Sequence, residues 1–179
     1  MRFVGRLVRA LVNLVVVLLV LAILALVVMG AITTQRGWPQ TTGTLKVAGL
    51  NSPVTVTRDG AGIIQITAND SHDLFVAQGY VHASERMWQM EVSRRIGSGR
   101  LSELFGKSSL DRDKYIRTLG WRQAAQRDLS AMSSDSIAIL QAYSDGVNAW
   151  IKEHDGRLST PFVVAGLLSG TGTIGGFSL

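Results

Sequence analysis

Three histidines, a close pair of aspartates and a scatter of serines are the side chains of this sequence that could do chemistry. Their spacing restricts them severely. His72 and His82 lie ten positions apart, which on one helix is about 80° of rotation and nearly three turns of rise, so they cannot share a metal. His154 is remote from both, and no HExxH or related ligand spacing occurs. His82 is expected to pack against Glu85 or Arg86 on a half-buried face. Asp111 and Asp113 alternate with Arg112 and Lys114, a pattern that predicts solvated ion pairs rather than an acid–base pair. Glu91 with Arg94 and Arg95 reads as ordinary pairing on a helix face. Gly97-Ser98-Gly99 lacks the preceding strand and third glycine of a dinucleotide loop, and reads as a helix stop. No serine stands in a GxSxG elbow or beside an evident base. The group Met87, Trp88 and Met90 reads as core. With no cysteine in the chain, a thiol nucleophile and a Cys-based zinc site are excluded as well. The residues by themselves predict no catalytic group and no metal site in this chain.

The elements that carry these residues are predominantly helical. Residues 33–43 read as a linker punctuated by Gly37, Pro39 and Gly43. Three short β-branched segments follow at Thr44–Ala48, Val54–Arg58 and Ile63–Thr67. The last two flank Asp59-Gly60-Ala61-Gly62, a good hairpin turn, so a β-ribbon is expected. Asn69, Asp70 and Ser71 offer caps for a long helix over Leu74–Ile96, with Asp73 adding negative charge to its first turn. That helix carries two apolar stripes. Leu74, Ala77, Val81 and Trp88 form one; Val76, Tyr80, Ala83, Met87 and Met90 form the other. So wide an apolar arc predicts a central helix covered on more than one side. A short turn at Leu101–Phe105, a helix over Leu119–Met132 and a last helix capped by Ser133 or Ser134 complete the pattern. The last helix has Ile137, Leu140, Val147 and Ile151 inward, Tyr143 and Trp150 flanking, and fades at His154–Gly156. Beyond Pro161 the sequence is apolar and glycine-rich, from Gly166 to Gly176, and stops at Leu179 without a cap or polar tail, as an interrupted chain would.

The other strong feature is Leu11–Ile32, twenty-two uncharged residues in which Asn13 is the only strongly polar one. As a helix it reaches roughly 33 Å, enough to cross a hydrocarbon core. Arg2, Arg6 and Arg9 precede it and no acid occurs before Asp59, so residues 1–10 are expected in the cytoplasm and the main part on the periplasmic or extracellular side. The rival is a cleaved signal ending near Gly30 or Ala31, although signal cores run only about 7–15 residues. Of the net charge of +5, three positive charges belong to those arginines, which leaves +2 for the rest. The later basic residues are interspersed with acids rather than gathered in a stripe, and no nucleic-acid partner is expected. About 145 residues remain outside the anchor, enough for one domain.

Several blocks carry a resemblance. They are Val56-Thr-Arg-Asp-Gly60; Asp73-Leu-Phe-Val-Ala-Gln-Gly-Tyr-Val-His-Ala83; Arg86-Met-Trp-Gln-Met-Glu91 with Arg94 and Arg95; Gly99-Arg100-Leu-Ser-Glu-Leu-Phe-Gly106; and Leu140-Gln-Ala-Tyr-Ser-Asp-Gly-Val-Asn-Ala-Trp-Ile151. In order and spacing this stretch, roughly Val54 to Ile151, resembles the start of the α chain of penicillin acylases. Two departures stand out. Gly62-Ile-Ile-Gln-Ile66 replaces the usual Gly-x-Pro-His-Ile, and Ala83-Ser-Glu-Arg86 replaces Ala-Gln-Asp-Arg.

The resemblance implies an N-terminal-nucleophile hydrolase, an α+β protein whose complete form is an αββα sandwich. The 44–179 region would then be a truncated α-chain part, mostly helical with a short β-ribbon and preceded by one transmembrane helix at 11–32. A precursor of this kind, a zymogen, cuts itself into two chains. The new N-terminal Ser of the β chain attacks a linear amide of an acylated small molecule, with its own α-amine as base. Penicillins, cephalosporins and acyl-homoserine lactones are substrates in the family. The nucleophile, the acyl-pocket residues and a calcium ligand of the complete protein are all expected beyond Leu179. This fragment alone is therefore expected to be inactive, and its missing partner is the β chain or the remainder of the precursor. Tyr80 matches a family tyrosine near the pocket and is the candidate substrate-binding residue. The alternative is a non-catalytic, membrane-anchored scaffold or binding module derived from the same region.

Overall fold

The computed structural model describes residues 2–36, 38–154 and 161–162. The glycine-rich stretch from Gly166 to Gly176 and the chain end at Leu179 lie outside the described residues. The chain divides into two units, residues 1–36 and residues 37–179.

The first unit is one helix, α1 (Arg2–Arg36). Its segment Leu11–Ile32 is long and apolar enough to cross a membrane, and none of it is buried against protein. The run of Leu, Val, Ile and Ala carries no breaker until Gly30, which accounts for a helix of this length.

The second unit begins with a hairpin, β1 (Thr55–Arg58) and β2 (Ile64–Thr67), antiparallel with Val56 opposite Ile66 and Arg58 opposite Ile64. Asp59 builds its turn. One oxygen, Oδ1, accepts the N–H of Ala61 at 2.9 Å and of Ile63 at 2.8 Å, and Gly62 takes φ +82°, a conformation that favours glycine. The third expected strand, Thr44–Ala48, is absent from the sheet, which has two strands among the described residues. β-branched composition favours a pleated surface, but a strand needs a neighbour to pair with, and here a turn at Ala48-Gly49 follows at once.

Helix α2 (Ser71–Ser98) is capped by Asp70, whose side chain accepts the Asp73 N–H. It bends at Arg86, where φ is −130° and ψ 17°. Gly99 ends it in the left-handed conformation, so Gly97-Ser98-Gly99 is the helix stop that its sequence implies. Then come α3 (Ser102–Phe105), a 3-10 turn at Gly106–Ser109, α4 (Leu110–Leu119), α5 (Trp121–Ala131) and α6 (Ser134–Glu153). The helix expected over Leu119–Met132 is α5, and α4 is a further helix ahead of it that the sequence reading did not include. Gly120, at φ +71°, ends α4 while its carbonyl starts α5 by accepting the Ala124 N–H. Helix α4 was not legible because its charges mask the only inward apolar residue, Ile116.

The core lies where α2 crosses α6. Tyr80, Ala83, Met87, Val147, Trp150 and Phe162 form it, with Trp88, Met90 and Ile151 packed around. Met87, Trp88 and Met90 are core, as their sequence suggests. The inner face of α6 is centred on Ala142, Gly146, Val147 and Trp150; Ile137 and Leu140 are only half-buried. The reason is the crossing itself. A Cβ on Gly146 would lie 1.9 Å from the Val76 carbonyl oxygen, and one on Gly79 2.1 Å from that of Tyr143. Two glycines let the backbones touch, and the apolar residues around them close the seam. Burying Val76, Met87 and Val147 stabilises by about 1.5–3 kcal/mol each, against about 1 kcal/mol net for a hydrogen bond. Packing holds the crossing; hydrogen bonds set its register.

Candidate functional site

Among the described residues, every buried carboxylate of the second unit is engaged in holding the fold. Asp73, fully buried in the first turn of α2, accepts the N–H of Asn51 at 2.9 Å on one oxygen and that of Ser52 at 2.7 Å on the other. It clasps the preceding loop to the helix. Asp113 on α4, 3% exposed, does the same to Leu101 and Ser102, at 2.9 and 2.7 Å. The expectation of solvated pairs therefore holds for Asp111, whose side chain is exposed beside Lys114, and is wrong for Asp113. The alternating pattern concealed which aspartate faces inward.

Glu91 is corrected in the same way. It is 1% exposed, and Arg95 5%, so their pair is not a surface one. Glu91 meets Arg94 and Arg95 at 2.7 Å each. Arg95 also pairs with Glu103, which Arg100 grips with both Nε and Nη2. This network ties the end of α2 to α3. Sequence spacing reveals the i,i+4 partners but not the burial, which comes from α3 folding back.

The histidines stay apart. His72 sits beside Asp73, with Nδ1 3.1 Å from Oδ1. His82 is exposed and its Nδ1 lies 3.0 Å from the Tyr143 hydroxyl on α6, not against Glu85 or Arg86. Glu85 instead pairs with Arg58 of β1. His154 stacks on Trp150 at 4.5 Å. Ligand atoms of Asp70, His72 and Asp73 come within 4.8 Å of one another. The Asp73 oxygens and Asp70 Oδ1 already accept backbone N–H groups. A calcium ion needs six to eight oxygen ligands, and this cap does not supply them.

A groove of about 550 Å³ lies among the described residues, within the usual range for small-molecule sites. Residues 38–47 and β1 form one side; Ala77, Tyr80, Val81 and Ser84 of α2 and the end of α6 form the other. Tyr80 is 6% exposed, and its hydroxyl donates to Glu153 Oε2 at 2.6 Å. Burial, then the hydrogen bond to Glu153 and the charge of that carboxylate, raise the phenol's pKa well above its ordinary value. The phenol is thus held as a neutral donor. Seventy-three positions separate the two residues, so nothing local in the sequence announces Glu153.

The two clasps predict an acid limit to stability. The Asn51 N–H is the strongest influence on Asp73, lowering its pKa against the opposing effect of burial, with His72 and Ser52 adding to the lowering. For Asp113 burial is the largest influence and raises the pKa, but Ser102, Leu101 and Arg117 together reverse it, and the net shift is downward. A carboxyl whose folded pKa lies below its unfolded value of about 3.9 contributes stability above that pH, and the contribution is lost as pH falls through the folded value. The urea midpoint, read by tryptophan fluorescence in detergent, is expected to be level above about pH 5 and to fall below about pH 4. Asp73→Asn and Asp113→Asn should each lower the midpoint at pH 7 and flatten the acid slope.

The sequence profile of the penicillin amidase family matches residues 53–169. The chain belongs to the penicillin amidase family. That match runs from the start of the hairpin through α6 and takes in the Asp113 clasp, the buried ion network and the β1, α2 and α6 lining of the groove, while Asn51, Ser52 and the 38–50 lining precede it. The chain is 39% identical over 117 residues to penicillin acylase 2 proenzyme of Pseudomonas sp. strain SE83, covering 65% of this chain and 15% of that one. It is 42% identical over 101 residues to penicillin G acylase of Escherichia coli, covering 56% and 12%. It is 34% identical over 128 residues to acyl-homoserine lactone acylase QuiP of Pseudomonas aeruginosa, covering 72% and 15%. The chain thus spans about 15% of the length of the curated relatives it matches. Among solved structures, thermostable penicillin G acylase from Alcaligenes faecalis is similar with a TM-score of 0.56 and 27% identity, over 63% of this chain and 62% of that one.

Proposed function

We propose that this chain is the α-chain part of a penicillin-acylase-like amidohydrolase, tethered to a membrane by residues 11–32 and completed by a second chain that brings the nucleophile. The observation that carries the reading is a difference in coverage. The chain accounts for only 15% of the Pseudomonas proenzyme, yet 63% of it covers 62% of the matched Alcaligenes faecalis chain, which is therefore of comparable length. The matched region is thus a similar share of a penicillin G acylase chain and of this one. The engagement of Asp73, Asp113 and Glu91 in the scaffold supports the same view, since it leaves them no part in catalysis.

In this reading the second chain presents an N-terminal Ser to the carbonyl of a linear amide. Its neutral α-amine, poised near pH 8, takes the hydroxyl proton as the Ser oxygen bonds to the carbonyl carbon. The C–N bond then breaks, the amine leaves with that proton, and water attacks the ester to release the acid and restore the Ser hydroxyl. In this reading the complete fold is the αββα sandwich, and residues 44–179 are a truncated part of its α-chain region. Production of the 179-residue chain with the part of the Pseudomonas proenzyme outside the matched region tests the reading. The assembly is expected to hydrolyse an acyl p-nitroanilide, and Ser→Ala at the partner's N-terminus to abolish this. Co-purification without hydrolysis would favour a non-catalytic anchored scaffold.

Arg2, Arg6 and Arg9 ahead of the apolar run support a cytoplasmic N-terminus with residues 37–179 on the other side of the membrane. Intact-mass analysis of the membrane-extracted chain should retain residues 1–36, whereas a mature chain starting beyond Ala31 would identify a cleaved signal. Tyr80 is assigned to the substrate-facing wall. In the assembled enzyme Tyr80→Phe is expected to raise KM several-fold and leave kcat nearly unchanged. A purely structural tyrosine would lower stability by about 1 kcal/mol and leave KM alone.

A further inference from the structure

We propose that a concavity between the end of α2, α4 and the first turn of α5 binds a phosphoryl anion, either free phosphate or the headgroup of an anionic lipid. It shares no lining residue with the groove and does not depend on the two-chain reading.

The concavity measures about 260 Å³, and Arg100, Arg117, Arg122 and Gln123 line it beside the buried Ile116. Three guanidinium groups thus reach one small space from three elements. Arg100 follows the Gly99 cap of α2, Arg117 sits in the last turn of α4 and Arg122 in the first turn of α5. In sequence they are spread over twenty-two positions and mixed with acids, but no carboxylate is among the lining residues. Like charges gathered around one space repel, and a bound anion removes that repulsion.

The three arginines retain donors for such a ligand. Arg100 gives Nε and Nη2 to Glu103 at 2.8 and 2.9 Å, and Arg117 gives Nε to the Gly99 carbonyl at 2.8 Å. Those bonds fix the two side chains and leave Nη1 of Arg100 and both Nη groups of Arg117. Arg122 is exposed and takes part in no hydrogen bond or ion pair among the described residues. Guanidinium groups pair with phosphate through two parallel N–H bonds, and the Gln123 amide adds donors of its own. The wider charge favours the same ligand. Residues 107–132 hold six Lys or Arg and three Asp, of which Asp113 is turned inward, whereas the rest of residues 37–179 hold eight and ten. The positive charge of the second unit is therefore concentrated around this concavity, where it attracts anions. Because the same chain carries a helix long and apolar enough to cross a membrane, a lipid headgroup is a source beside free phosphate.

The test uses the full chain in a maltoside detergent, which carries no phosphate. Inorganic phosphate and dihexanoyl phosphatidylglycerol are titrated separately at constant ionic strength, and the thermal midpoint is followed by tryptophan fluorescence. A ligand that binds only the folded chain raises the midpoint in a saturable way. Such a rise is expected, with half-saturation at roughly millimolar ligand or below. Arg122→Gln should weaken it at least 10-fold while leaving the ligand-free midpoint in place, since that side chain holds nothing in the fold. Arg127→Gln, exposed on α5 but outside the concavity, should leave the titration unchanged. A rise with inorganic phosphate assigns the site to the free anion; a rise with phosphatidylglycerol alone assigns it to a lipid headgroup. No saturable rise with either ligand overturns the proposal. Equal weakening by Arg122→Gln and Arg127→Gln also overturns it, because the response would then come from diffuse surface charge.

Discussion

Gly146→Ala is expected to lower the stability of the second unit by about 3 kcal/mol or more, the upper range for overpacked sites. The new methyl would meet three atoms of α2 at once, namely the Val76 carbonyl oxygen at 1.9 Å, its carbon at 2.8 Å and the Tyr80 nitrogen at 2.9 Å. Backbone cannot rotate out of the way as a side chain can. The helices must separate, and Val76, Val147 and Trp150, all buried at the seam, lose contact together. Gly79→Ala should behave alike from the other side, against Tyr143 and Val147. Gly97→Ala is the control. It lies inside α2 with nothing within 4 Å, and a helical Gly→Ala in open space gains about 0.5–1 kcal/mol. Urea denaturation of the three variants should therefore give two large losses and one small gain. A Gly146→Ala chain as stable as the parent would mean that the crossing is looser than the structure has it.

These glycines also mark where the sequence stopped being readable. Apolar periodicity located α2 and α6 and assigned Val76, Tyr80, Ala83, Met87 and Val147 to the interior, because large side chains at helical spacing announce a buried face. Gly79, Ala142 and Gly146 announce nothing by composition, yet they set the closest approach and so decide which face of α6 turns inward. The same limit applies to charge. Asp111 and Asp113 are indistinguishable in an alternating run, and only the loop at Leu101–Ser102, brought back by the Gly99 cap, makes one of them a buried clasp. Thr44–Ala48 failed for the opposite reason: its composition suits a strand, but pairing is not a local property.

Glu91→Gln should cost about 3 kcal/mol, at the lower end of the range for breaking a buried pair. The amide keeps the shape but removes the charge that faces Arg95, itself 5% exposed, and Arg94 at the edge of the same site. Glu103 remains to Arg95, which is why the upper end of the range is not expected. Asp111→Asn, at a 97% exposed side chain, should change stability by less than about 0.5 kcal/mol. If the two variants unfold at the same urea concentration, the network at the end of α2 contributes far less than its burial implies.

The candidate site divides along similar lines. Family motifs placed Tyr80 on the central helix, and the structure puts it at the floor of the groove beneath residues 38–47 and β1. The buried acids Asp73, Glu91 and Asp113 serve the fold. The most direct measurement is a titration of the nucleophile-bearing partner with the full 179-residue chain, following p-nitroaniline release from an acyl anilide. Each component alone should give only the buffer rate, and activity should rise linearly and saturate at one chain per partner. Hydrolysis at an enzymatic rate by either component alone, or a mixture that assembles and stays silent, would contradict the account.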